Sequence, residues 1–261
     1  MDQVGEKPLT EEFEEILMRL NFPEDERRFA RRVFGGDFER YKNRLEQYGF
    51  VGHGRVLDAA CGFGQWSMVL SELNNFVEAI DISSKRTEFL DSYAQFKGIP
   101  NLSTRESSLV SLPFDGESFD AVFCYGAVFL TDWKKTLREF SRILKRGGLL
   151  YLNANDIGWY VDLWERGYDN KYVDQNLKDY VSRVLTNTVN YQKNGLNEEG
   201  LDIVITPIEL KNEIELLNFS VLAVGPEGTV ARSSEKESEG SFFEGSFKGF
   251  TAVHELLATK M

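Results

Sequence analysis

The chain has 261 residues, 42% of them apolar and 28% charged, which suffices for one large domain with a sizeable core but not for a second full one. A formal net charge of −12, with no dense Lys/Arg run, argues against a nucleic-acid backbone as partner. No apolar stretch reaches the roughly 18 to 20 residues of a membrane helix, Met1–Thr10 lacks the apolar centre of a signal peptide, and Cys61 and Cys124 are too few for a disulfide framework or zinc cluster. A cytoplasmic protein with reduced thiols is expected.

The first ~50 residues are predicted helical. Phe13, Ile16, Leu17 and Leu20 share one face, and Phe34, Phe38, Tyr41, Leu45 and Tyr48 another. Strand and helix then alternate. Val56–Ala59 is an apolar strand, Trp66, Val69, Leu70 and Leu73 form a helical stripe, and Phe76–Ile80 is the next strand. Ser83 or Ser84 caps a helix burying Phe89, Leu90, Tyr93 and Phe96, and a weaker strand lies near Asn101–Arg105.

Asp120–Tyr125 is apolar enough to be covered on both faces. Asp132 caps the following helix (Trp133, Leu137, Phe140, Leu144), with Lys145 and Arg146 in its last turn and Gly147-Gly148 ending it before a fifth strand, Leu149–Asn153. This rhythm implies right-handed crossovers, an α/β doubly wound and mostly parallel sheet, and a ligand at the carboxyl ends of the strands. After Asn155 it breaks for about fifty aromatic-rich residues, with one helical stripe at Leu177, Val181, Val184 and Leu185. Thr206-Pro207-Ile208-Glu209 is a capping box opening a helix with Leu210, Ile214 and Leu217 buried. Phe219–Val224 and Thr251–Ala258 close the chain as a hairpin across a long, mobile loop spanning Ser233–Gly249. The organisation is thus an N-terminal helical cap, residues 1–50, and a binding domain, residues 51–261, with an insertion at about 157–205.

The chemistry concentrates where Val56-Leu-Asp-Ala-Ala-Cys-Gly-Phe-Gly turns from strand into helix. Gly62 and Gly64 remove Cβ atoms where a ligand approaches the backbone, beside a partly positive helix N-terminus. Asp81, ending the next strand, is placed to accept from both hydroxyls of a ribose. A dinucleotide turn would favour a third glycine at the position of Ser67, and the loop carries Asp58 without Lys or Arg, which suits a cationic ligand better than a phosphate.

Val56–Gly64, Asp81, Leu112-Pro-Phe-Asp-Gly-Glu-Ser-Phe-Asp-Ala-Val and Arg142-Ile-Leu-Lys-Arg-Gly-Gly-Leu together resemble the class I S-adenosylmethionine (SAM) dependent methyltransferases, especially the branch acting on small molecules and quinones. The resemblance runs from about Tyr41 to Lys260. It implies a Rossmann-like sheet of seven strands with the last antiparallel, and SAM as cofactor. Asp58 would organise the loop, with Ala60, Cys61 and Gly62 lining the methionine end and Gly64 opening the helix. Asp81 would hold the ribose and Ile82 would lie against the adenine. Ser108, followed by Leu109, stands where the family often has an adenine-contacting Asp, and Ala60 stands for a common glycine. Cys124 and Tyr125 would border the methyl group, while Tyr41 and Trp66 are aromatic candidates near the cofactor for which packing roles compete.

The expected reaction is in-line methyl transfer to a hydroxyl, amine or carbon of a small metabolite or sugar-like acceptor. Its base, if one is needed, would come from Tyr125, Asp156, Asp132 or Tyr160, with Tyr125 and Asp156 foremost. His53 and His254 are expected to be structural, and no metal is expected. Trp159, Tyr160, Trp164, Tyr168 and Tyr172 are expected to build an acceptor pocket over the mouth. A catalytically silent SAM-binding scaffold and a protein or RNA methyltransferase are the alternatives, and a homodimer is left open.

Overall fold

β1 (Val56–Ala59), buried on both faces, lies inside a seven-stranded sheet in the computed structural model, which describes residues 9–166, 176–195, 197–198, 200–232 and 241–261. The strands are β2 (Val77–Asp81), β3 (Leu102–Glu106), β4 (Phe119–Cys124), β5 (Leu144–Asn155), β6 (Phe219–Pro226), the short pair β7 (Ser246–Phe247) and β8 (Phe250–Thr251), and β9 (Val253–Lys260). Across the large sheet they run β3-β2-β1-β4-β5-β9-β6, with β9 antiparallel to both neighbours and the other pairs parallel. The order reverses beside β1, which sets a crevice at its carboxyl end. The seven-stranded, doubly wound arrangement is therefore as expected.

Successive side chains of each strand feed two cores. Val56, Val77, Ala121, Phe123 and Tyr151 pack under the N-terminal helices α1 (Glu11–Arg19), α2 (Glu24–Phe34) and α3 (Phe38–Tyr48), with α4 (Gln65–Leu73) and α5 (Ser84–Lys97). Leu57, Ile80, Val122, Leu150 and Leu256 pack under α6 (Trp133–Ile143) and α9 (Pro207–Leu216). A third cluster, with Tyr160, Leu163, Val181 and Val184, joins α7 (Ile157–Arg166) to α8 (Leu177–Asn194). Among the described residues no helix is long and apolar enough to cross a membrane.

Several boundaries differ from expectation. Phe34 ends α2 instead of opening the next helix, because Gly35 and Gly36 interrupt the stripe before Asp37 caps α3. α6 stops at Ile143, so Lys145 and Arg146 belong to β5; Lys145 Nζ reaches Asp120 Oδ1 at 2.7 Å, and a bulge absorbs the glycine pair. Between α6 and β4 a 3-10 turn covers Val128–Leu130. α7 has an aromatic surface that hid its helical period. Of the expected loop Ser233–Gly249, residues 233–240 lie outside the described residues; the rest is structured, with β7 and β8 pairing and Gly245 pressed against Pro226.

Candidate active site at the glycine turn

The turn after β1 is built by hydrogen bonds between adjacent strand ends. Cys61 N donates to Ile80 O at 2.8 Å, Gly64 N to Cys61 O at 2.9 Å, and Gly62 N to Asp81 Oδ2 at 2.9 Å. Asp81 Oδ1 accepts from Ser83 N at 2.9 Å, so each carboxylate oxygen is oriented by one backbone donor and keeps a lone pair for a ligand hydroxyl. Asp81 thus stands where the sequence places it.

The two glycines differ in purpose. A Cβ on Gly62 (φ +57°) would meet nothing within 4 Å among the described residues, so open space lies over the turn there. A Cβ on Gly64 (φ +91°) would lie 2.3 Å from Leu90 Cδ1, so that glycine admits α5, not a ligand. Ala60 adopts φ +63°, a left-handed conformation that costs a residue with a Cβ about 1–2 kcal/mol.

Asp58 is buried, and its Oδ2 accepts from Ser67 Oγ at 2.5 Å. Burial pushes its carboxyl up to about 7, opposed by the Ser67 hydrogen bond. This bond ties the end of β1 to the first turn of α4, a partner that sequence reasoning missed by treating Ser67 only as a missing glycine. Cys61 and Cys124 are free and buried, and burial raises both thiols, which disfavours the thiolate that a nucleophile needs. Ile82 is 70% exposed, leaving an apolar surface for a flat ring. Leu109 is buried with Leu57 and Ile80, whereas Ser108 is half-buried in the loop after β3.

Tyr41 and Trp66 belong to an aromatic cluster beside the turn. Their rings meet edge to face at 4.6 Å, Tyr41 Oη donates to Val33 O, and Trp66 lies 5.0 Å from both Phe123 and Tyr125. Phe242 stacks on Tyr41, and Phe243 on Tyr125.

The base candidates are differently placed. Tyr125 donates to Glu227 Oε1 at 3.0 Å, and burial holds its hydroxyl well above the usual range, so it keeps its proton. Asp156, at the end of β5, accepts from Ile157 N at 2.7 Å, and burial raises its carboxyl, which favours proton uptake. Asp132 is held low against burial by Tyr191, which donates at 2.7 Å, and by Lys135; its role is to cap α6. Tyr160 is fully buried and donates to Asp202.

The three described members of the five expected aromatics do not form one pocket. Tyr160 is core, Trp164 is 42% exposed, Trp159 meets Phe243 edge-on, and Tyr168 and Tyr172 lie outside the described residues. His53 bonds Gly49 O, and His254 is fully buried. A groove of about 520 Å³ lined by Asp132, Arg138, Tyr191 and Glu213 lies on α6, α8 and α9, away from the turn.

Missed altogether was a buried cluster below the aromatics. Arg44, on α3, pairs with Glu227, whose Oε2 accepts from the Phe242 and Phe243 amides. Glu255 accepts from Tyr48 and Tyr151. Arg44 and Glu227 are 183 residues apart, and only the fold reveals their pairing.

Residues 56–148 match the model of a family described as methyltransferase domain. The uncharacterized methyltransferase YcgJ of Bacillus subtilis is 34% identical over 99 residues, 38% of this chain and 39% of that protein. The demethylmenaquinone methyltransferase of Deinococcus radiodurans is 38% identical over 101 residues, 38% of this chain and 42% of that one. The chain thus spans about two fifths of the length of these curated relatives. Among solved structures, a geranyl diphosphate methyltransferase in complex with SAM superposes with a TM-score of 0.60 at 18% identity, over 93% of this chain and 94% of that one. A SAM-dependent methyltransferase from Aquifex aeolicus gives 0.53 at 14% identity, over 85% and 89%. These two likenesses extend the shared fold beyond the matched segment. Residues 56–148 thus match a methyltransferase domain, and the seven-stranded sheet built around them has the fold of the SAM-dependent methyltransferases on which it superposes.

Proposed function

We propose that the protein binds SAM at the Gly62–Asp81 junction and transfers its methyl group to a small-molecule acceptor. The observation that carries this reading is the Asp81 carboxylate, fixed by the Gly62 and Ser83 amides beside open space over Gly62. Bound there, SAM supplies an electrophilic methyl group on a sulfonium.

The residues present suit such a group. Asp81 offers acceptors for two ribose hydroxyls, Ile82 an apolar surface for adenine, and the Ala60–Gly62 backbone a wall without cationic side chains. In this reading Ser108 and Leu109, in the loop after β3, and Cys124, ending β4, would border the same crevice. Alignment of acceptor and methyl donor accounts for most of the rate, since placement alone supplies about 7–11 kcal/mol in well-oriented pairs. For a hydroxyl acceptor, Asp156 takes the proton, because the Tyr125 hydroxyl is turned toward Glu227.

Calorimetry with S-adenosylhomocysteine tests the binding, and its release from SAM in the presence of a metabolite extract tests turnover. Binding without release from any extract would favour a silent scaffold, a reading that gains support from the aromatic rings of Phe242 and Phe243 packed against Tyr41 and Tyr125.

A further inference from the structure

One aromatic ring in this mouth comes from an outlying segment. Phe242 is half-buried between two exposed neighbours, Ser241 and Phe243, yet its ring sits in a box of opposed groups. Tyr41 stacks on it at 5.1 Å and 12°, Trp66 meets it edge-on at 5.6 Å, and the guanidinium groups of Arg40 and Arg44 lie 4.1 and 5.5 Å from its centre. Rings between an aromatic floor and cations gain both stacking and cation–π energy. The segment is fastened mainly through its backbone: Arg40 Nη2 donates to Ser241 O at 2.6 Å, and the Phe242 and Phe243 amides donate to Glu227 Oε2 at 2.8 and 3.3 Å.

A second observation concerns the group beneath. Arg44 is fully buried, and although its Nη2 pairs with Glu227, its Nε and Nη1 have no acceptor among the described residues. Buried donors on a charged group are costly to leave unmade, and a phenyl ring cannot accept them in the way an oxygen does. The site is thus well matched to a ring but under-supplied with an oxygen.

We infer that Phe242 is an internal placeholder in a ring-binding subsite, and that the acceptor admitted when Ser241–Phe243 lifts is a flat aromatic ring bearing an anionic or carbonyl oxygen. Tyr41 and Trp66 take its face and edge, and Arg44 takes the oxygen. This rests on the small-molecule acceptor reading above, and it narrows that reading to a chemical class.

The test uses benzoate as the oxygen-bearing ring and toluene as its counterpart without oxygen, titrated calorimetrically into the full chain. Phe242→Ala is expected to bind benzoate at least tenfold more tightly than the unmodified protein and at least tenfold more tightly than it binds toluene. Adding Arg44→Met should abolish that preference while toluene binding persists. Benzoate binding unchanged by Phe242→Ala, or toluene bound as tightly as benzoate, would overturn the inference by reducing the box to ordinary apolar packing. If the alanine variant does not fold, Phe242→Leu retains an apolar anchor without the ring and carries the same comparison, with a gain of at least threefold expected and no gain overturning it. Titrating S-adenosylhomocysteine into the same variants reports on the donor site, so failure of the acceptor inference is distinguishable from failure of the donor assignment.

Discussion

Ser67 Oγ donates to Asp58 Oδ2 at 2.5 Å, and this bond pins the first turn of α4 to the end of β1, with both residues buried. Removing the hydroxyl leaves the carboxylate without the donor that offsets its burial. Ser67→Ala should therefore cost about 1–3 kcal/mol when Asp58 is ionised. The sign follows from the raised carboxyl: with its value already about 7, loss of the donor raises it further, so the penalty is largest above neutrality and shrinks toward pH 5, where Asp58 is protonated. Denaturant midpoints of both proteins at pH 5 and pH 8.5 check this; an equal loss at both would remove the Asp58 explanation.

Asp81 orients the turn and, in the proposed function, the ribose. Asp81→Ala should weaken S-adenosylhomocysteine binding by at least about tenfold through loss of charge-assisted hydrogen bonds. It should also destabilise the chain by about 1–3 kcal/mol, because the Gly62 and Ser83 amides lose their acceptor. Calorimetry beside thermal unfolding separates the two effects. Wild-type affinity in the variant would remove Asp81 from the site.

These two carboxylates show what the sequence made legible. Strand ends, the glycine turn and Asp81 could be read because each depends on neighbours in the chain: apolar runs, a Gly-x-Gly break, a cap at Asp132 and a capping box at Thr206. The Arg44–Glu227 pair and the Phe242 contact with Tyr41 could not, since they join α3 to residues after β6 and no local pattern encodes that meeting. The lower edge of β5 was misread for another reason. Lys145-Arg146-Gly147-Gly148 has the composition of a helix C-terminus, but pairing of Leu144 with Phe119 and a bulge draw it into the sheet. Tyr125 was placed correctly at a strand end, while the direction of its hydroxyl depended on Glu227, 102 residues away.

Ala60 carries φ +63° in the turn. Glycine adopts this conformation without the Cβ clash, although it gains entropy in the unfolded chain. Ala60→Gly should raise stability by about 0.5–1 kcal/mol. Chemical denaturation provides the measurement, and a destabilised variant would contradict the strain assigned here.

Gly64 illustrates the opposite requirement. A Cβ there would stand 2.3, 2.6 and 2.8 Å from three atoms of the fully buried Leu90, so the whole side chain must move. Gly64→Ala should cost about 2–4 kcal/mol, combining overpacking with a positive φ. Combining it with Leu90→Ala should recover the overpacking part only, giving a double variant more stable than the sum of the two single losses predicts. Strict additivity in a double-mutant cycle would show that the steric contact is not the cause.

His254 gives the protein a specific weakness to acid. It sits in β9 opposite Ala154 and Pro226, fully buried, and neither ring nitrogen has a hydrogen-bond partner among the described residues. Burial lowers its pKa from 6.5 to about 4, so the folded state holds it neutral while the unfolded chain takes up a proton sooner. Stability attributable to this group is therefore intact above about 6.5 and falls as the pH drops toward 4, by up to about 3 kcal/mol at 1.36 kcal/mol per pKa unit. Asp58, pushed up to about 7, acts with the opposite sign, but it is present in both members of a comparison and cancels. His254→Leu removes the titration and the orphaned nitrogens together. The variant should gain on the wild type progressively between pH 6.5 and pH 4.5 in urea unfolding, with a constant difference between pH 7 and pH 8.5. A difference that does not change across the acid range would mean that His254 is protonated in the folded protein and that its burial has been offset by a partner.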